Sequence, residues 1–192
     1  MGPQFTVYDH IESRTAQSQR DLLAVTSVVL GSLLIALGAR LQIVLPGLAA
    51  PVTAQTIIVL ALGMVLGARL GMAAASLFLL ECLFIPGFSA AKILITGGYV
   101  AGFIPAAYLA GHFYHGGYGR TWSRALLAMI PANLIILIVG ASWLAMFQLS
   151  FGQAFRTGFA SFLIIDAIKI ALCVPMMFGI AKLADGMERR LR

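Results

Sequence analysis

The chain has 192 residues, of which 60% are hydrophobic and only 10% charged, and its mean hydropathy is +0.96. Soluble domains carry about 25% charged residues, so the composition excludes a soluble module and describes an integral membrane protein of one domain, residues 1–192. The formal net charge is +6, but the basic residues flank apolar segments. That pattern fits orientation in a lipid bilayer rather than nucleic-acid binding.

Residues 1–20 form a polar N-terminal segment with no apolar core, so no signal peptide is expected. A spanning helix needs about 20 mostly apolar residues. Leu22–Leu41 is the first such run, with Asp21 placed to cap it and Arg40 at its end. A link rich in Pro and Gly follows at Pro46–Pro51. Thr56–Leu80 is one apolar run broken by Gly67-Ala68-Arg69-Leu70-Gly71, which is expected to be a turn between two short helices. Pro86-Gly87 closes the third helix, and Gly97–Phe113 makes a fourth. His112–Arg124 reads as a polar loop, Ala125–Phe147 as the fifth helix and Phe155–Leu183 as the sixth. Residues 184–192 form a basic tail. Cys82 and Cys173 lie inside apolar runs and read as small hydrophobes.

The expected fold class is therefore all-α, a six-helix transmembrane bundle. An even number of spans puts both termini on one side. That side would hold Arg14, Arg20, Arg69, Arg120, Arg124, Lys182, Arg189, Arg190 and Arg192, against Arg40, Lys92 and Arg156 on the other. The excess of positive charge places both termini in the cytoplasm.

Phe162–Pro175, FLIIDAIKIALCVP, carries Asp166 and Lys169 in the middle of an apolar run. A charge at the hydrocarbon centre costs about 3 kcal/mol on insertion scales. Three residues apart, the two share a helix face. They form either a salt bridge that locks helices together or a binding site for a polar molecule. Glu81 is a third ionisable residue in an apolar run. Paired with Lys92, Arg40, Asp166 and Lys169 it would be structural; alternatively, the outer half holds a cavity that attracts anions. In AAPVTAQT, Ala49–Thr56, Thr53 suits a helix N-cap, and Gln55 brings both donors and acceptors to the helix start. In ITGGYVAGF, Ile95–Phe103, Gly98 permits close backbone approach, to a ligand or to another helix. Tyr99 offers a ring face and a hydroxyl.

The sequence contains no Gly-x-x-x-x-Gly-Lys-Ser/Thr run, so no ATP site of that kind is expected. No nucleophile and base, and no paired carboxylates, fall together; an enzyme is not expected. His112 and His115 have no acidic or thiol neighbour and read as solvated loop residues rather than metal ligands. On the first helix, Ser27 and Gly31, with Ser32 and Ala36 beside them, form a stripe of small residues. Such a stripe allows close helix approach, within the bundle or to a partner.

Three stretches taken together, ARLQIVLPGLAAPVTAQTIIVLALGMVLGARLG, ITGGYVAGFIPAAYLAG and IIDAIK, resemble the BioY family, the biotin-binding substrate subunits of energy-coupling factor transporters. The resemblance covers most of the chain from Leu22 to Pro175. It implies six helices and a biotin pocket in the outer half under capping loops. It also implies a membrane coupling subunit and two cytoplasmic ATPases as partners, which alone would use ATP; no cofactor of its own is implied. The substrate-binding candidates are then Asp166, Lys169, Gln55, Thr53, Tyr99, Gly98, Lys92 and Arg40. Ser27, Gly31, Ser32 and Ala36 become the candidate face for docking the coupling subunit. The loop Gly87–Tyr99 is shorter than the family's usual one, so the family's polar contact there is not carried over. Dethiobiotin and lipoate are alternative substrates, and an ion-coupled secondary transporter is the alternative mechanism.

Overall fold

The computed structural model describes residues 17–85, 93–115, 121–147 and 149–191. The helices are α1 (Gln17–Arg40), α2 (Gln55–Leu66), α3 (Ala68–Phe84), α4 (Ile93–His115) and α5 (Trp122–Phe147). A last continuous span begins as a short turn, α6 (Phe151–Gln153), widens into a π-helical stretch (Ala154–Ala160), and continues as α7 (Ser161–Leu191). The six-helix bundle expected from the sequence is what forms. Among the described residues, Gln17–Arg40, Trp122–Phe147 and Phe151–Pro175 are long and apolar enough to cross a membrane.

Several local expectations need correction. Asp21 lies inside α1, which begins at Gln17, so it does not cap that helix. The link after α1 is not irregular throughout. β1 (Gln42–Ile43) pairs antiparallel with β2 (Val52–Thr53), Gln42 opposite Thr53, making a small hairpin at one end of the bundle. The break in the long apolar run is the single residue Gly67, at φ 87°. That is left-handed backbone, which glycine adopts without steric cost. Ala68 to Gly71 are then the first turn of α3 rather than a loop. Helix α4 runs on to include His112 and His115, and the His115 ring nitrogen Nε2 lies 2.7 Å from the Met64 carbonyl at the end of α2. The basic tail continues α7 as far as Leu191.

The core is apolar and tight, because several crossings have glycine at the contact. A Cβ at Gly63 would strike the backbone of Ala107 on α4. One at Gly71 would lie 2.6 Å from the Gly63 Cα on α2. One at Gly111 would strike Ala68. Helices α2, α3 and α4 thus meet backbone to backbone, an arrangement that small residues permit in lipid, where dispersion and packing drive association. At 12 residues, α2 rises about 18 Å, less than the hydrocarbon thickness of about 30 Å.

Two residues of the α1 stripe face inward. Gly31 and Ser32 are buried, and a Cβ on Gly31 would lie 2.9 Å from the Ala74 Cβ of α3. Ser32 Oγ is 3.1 Å from Glu81 Oε1 of α3. Ala36 packs on the core, and Ser27 is half-buried. Gly31, Ser32 and Ala36 join α1 to the bundle; its exposed surface includes Leu22, Val25, Val29, Leu30, Leu33, Leu34 and Leu37.

Candidate functional site

At the hairpin end a cavity of about 320 Å³ opens between the helices, at the lower edge of the range for small-molecule sites. Its two sides differ in chemistry. One side is polar and comes from the start of α2 and from α7: Gln55, Thr56, Asp166 and Lys169. The other is apolar and comes from α4 and α5: Tyr99, Val100, Phe103 and Leu137, with Phe162 of α7 beside Tyr99. The ring centroids of Tyr99 and Phe162 are 5.8 Å apart. The hairpin and its loop cover the cavity with Gln42, Val44, Ala49, Ala50, Pro51 and Thr53.

The polar side is partly self-satisfied. Lys169 Nζ donates to Asp166 Oδ1 at 2.8 Å and to Thr56 Oγ1 at 3.3 Å. Asp166 is 1% exposed, yet its second oxygen, Oδ2, has no partner among the described residues. Gln55 is 4% exposed, and its Nε2 likewise has none. Thr53 orients that amide, because its hydroxyl donates to Gln55 Oε1 at 3.4 Å and so turns Nε2 away. Thr53 is not the N-cap; Ala54 holds that position. Thr53 Oγ1 nevertheless accepts from the Gln55 backbone N–H at 3.4 Å. Unpaired buried polar atoms each cost about 1–3 kcal/mol. An acceptor and a donor, on two residues that line one cavity, are thus left without a partner among the described residues.

Asp166 and Lys169 form the ion pair that one reading expected, and both also line the cavity, with one carboxylate oxygen left unpaired. Gln55, Thr53 and Tyr99 line the same cavity. Gly98 does not; a Cβ there would run into Trp143, so it serves the α4–α5 crossing. Arg40 is exposed at the end of α1 and is not part of the lining. Lys92 lies outside the described residues. Glu81 is apart from the cavity, against Ser32. The sequence reading passed over Thr56, Val100, Phe103, Leu137 and Phe162. Helical spacing would have found two of them: Phe162 is four before Asp166 and Phe103 four after Tyr99, on the same faces.

A helix bundle with a part-polar, part-apolar cavity beside a hairpin has the form of a small-molecule site. Residues 12–186 match the BioY family, and the chain belongs to that family. It is 35% identical over 131 residues to the "Probable biotin transporter BioY" of Pyrococcus horikoshii, covering 65% of this chain and 76% of that one. It is 34% identical over 161 residues to "Biotin transporter BioY2" of Lactococcus lactis subsp. cremoris, covering 77% and 87%. Its fold matches the crystal structure of the S-component for biotin from an ECF-type ABC transporter. The TM-score is 0.72 at 21% identity, over 88% of this chain and 95% of that one.

Proposed function

We propose that this protein is the biotin-capturing subunit of an uptake transporter in the cell (inner) membrane, and not an enzyme. The supporting observation is a pair of buried polar atoms without partners, Asp166 Oδ2 and Gln55 Nε2, on residues that line the cavity of a BioY-family chain. A cyclic urea presents N–H donors beside a carbonyl acceptor. Asp166 would accept from an N–H, and Gln55 would donate to the carbonyl. The fused ring and aliphatic chain would lie against Tyr99, Val100, Phe103 and Phe162. Removing the ligand's apolar surface from water supplies the non-directional part of the affinity, and the matched polar groups supply orientation.

The hairpin end faces the outside and both termini face the cytoplasm. Energy for release inward comes from partners: a membrane coupling subunit and two ATPases, which use the ATP. Titration calorimetry in detergent tests the substrate. Biotin should bind more tightly than lipoate or dethiobiotin. No heat with biotin, together with clear heat from another vitamin, would overturn the assignment.

A further inference from the structure

Tyr99 lines the cavity with its ring, but its hydroxyl points elsewhere. It donates to the carbonyl of Gly158, in the π-helical stretch, at 2.7 Å, and this bond is buried. The neighbouring carbonyl, that of Thr157, accepts the backbone N–H of Ala49 at 3.3 Å. Ala49 belongs to the hairpin loop and itself lines the cavity. Two consecutive carbonyls of one wide turn are thus held from two directions, by a cavity wall and by the cavity cover. A carbonyl oxygen has two lone pairs, so each can take such a bond in addition to a helical one.

The slot for this side chain is built by two glycines. A Cβ at Gly140 would fall on the Tyr99 ring. A Cβ at Gly158 would lie 2.8 Å from its hydroxyl oxygen and 2.7 Å from Leu144 Cδ1. Any larger residue at either place would displace the ring or break the bond. π-Helical turns are rare and occur often at functional sites; here the turn lies where the cover meets the wall.

We infer that the Tyr99 hydroxyl is a strut, not a ligand contact: by holding Gly158 it fixes the turn whose next carbonyl, Thr157, holds the hairpin loop over the cavity. Tyr99 is then a positioning residue for the cover as well as a wall for the ligand. The consequence for ligand retention rests on the biotin reading; the strut itself does not.

Tyr99→Phe keeps the ring and removes the hydroxyl. Two measurements on the full chain in detergent test it. Hydrogen exchange followed by mass spectrometry, without ligand, should show faster exchange of the loop peptide spanning residues 44–51 in the variant. Release of radiolabelled biotin should speed up about fivefold, the size of one net hydrogen bond, with association changed far less. Ala49→Pro deletes the other bond from the loop side, outside the helical core. It should give the same two effects, and it keeps the test open if Tyr99→Phe fails to fold. Faster release with unchanged loop exchange would overturn the inference, since the hydroxyl would then act on the ligand itself. Unchanged release despite faster exchange would overturn the retention role. Faster exchange in a protein that binds no biotin would support the strut while removing the substrate assignment.

Discussion

Asp166 shows how one residue can satisfy two demands at once. Its Oδ1 accepts from Lys169, and its Oδ2 is buried with no partner among the described residues. Replacing it with Asn keeps the shape but removes the charge that strengthens a bond to a ligand N–H. Asp166→Asn should weaken biotin binding by about 1.5–3 kcal/mol, as for other hydrogen bonds to charged groups, or roughly ten- to a hundredfold. The double variant Asp166→Asn with Lys169→Met separates direct contact from simple pairing. If Asp166 contacts the ligand, calorimetry finds binding still weak in the double variant. Recovery to the parent affinity would mean that the carboxylate matters only to Lys169. The sequence made Asp166 and Lys169 conspicuous because charge is rare in an apolar run. Val100 carried no such mark, and Phe162 and Phe103 were marked only by their four-residue spacing from Asp166 and Tyr99. The hydroxyl of Tyr99 was visible as a functional group, but its partner is 59 residues away. No local pattern could reveal that bond.

At the scale of elements, apolar run length and the Gly and Pro breaks gave the six helices, with ends displaced by a few residues. Two features were not legible. The two-residue strands β1 and β2 depend on a pairing between Gln42 and Thr53 that leaves no periodic trace. The small-residue stripe of α1 fitted an external partner and the bundle equally well by spacing alone. Within the stripe, Gly31 and Ser32 meet Ala74 and Glu81 of α3. Gly31→Leu should therefore destabilise the folded protein rather than act selectively on assembly with a partner. Gly63→Ala gives a cleaner measure of the helix crossings, because its new methyl meets the Ala107 backbone, which cannot rotate away. Overpacking of this kind costs about 1–3 kcal/mol. A thermal unfolding scan in detergent should show a clear drop in midpoint for Gly63→Ala. Gly152→Ala is the control: nothing lies within 4 Å of its added methyl, so no drop is expected. Equal midpoints for the two variants would contradict the backbone contact between α2 and α4.

At the scale of the whole molecule, charge and cavity define the same axis. The cavity lies at the end that carries the hairpin, the last turn of α1, the first turns of α2 and α4, and the π-helical stretch. Arg40 and Arg156 are near that end outside the cavity, whereas Arg20, Arg69 and Arg124 lie toward the other. Short segments rich in Lys and Arg stay cytoplasmic, so the cavity should open outward. Gln42, exposed in β1 and lining the cavity, reports one end. Ser123, exposed in the first turn of α5, reports the other. Both are changed to cysteine, one at a time, in a chain with Cys82 and Cys173 replaced by Ala. A membrane-impermeant maleimide applied to intact cells should label Gln42→Cys at once and Ser123→Cys only after permeabilisation. Excess biotin should slow labelling at Gln42, because the ligand would sit beneath that strand. The reverse pattern of labelling would invert the orientation and put the capture site on the cytoplasmic side. A chain facing that way could not gather biotin from outside the cell, whatever its affinity.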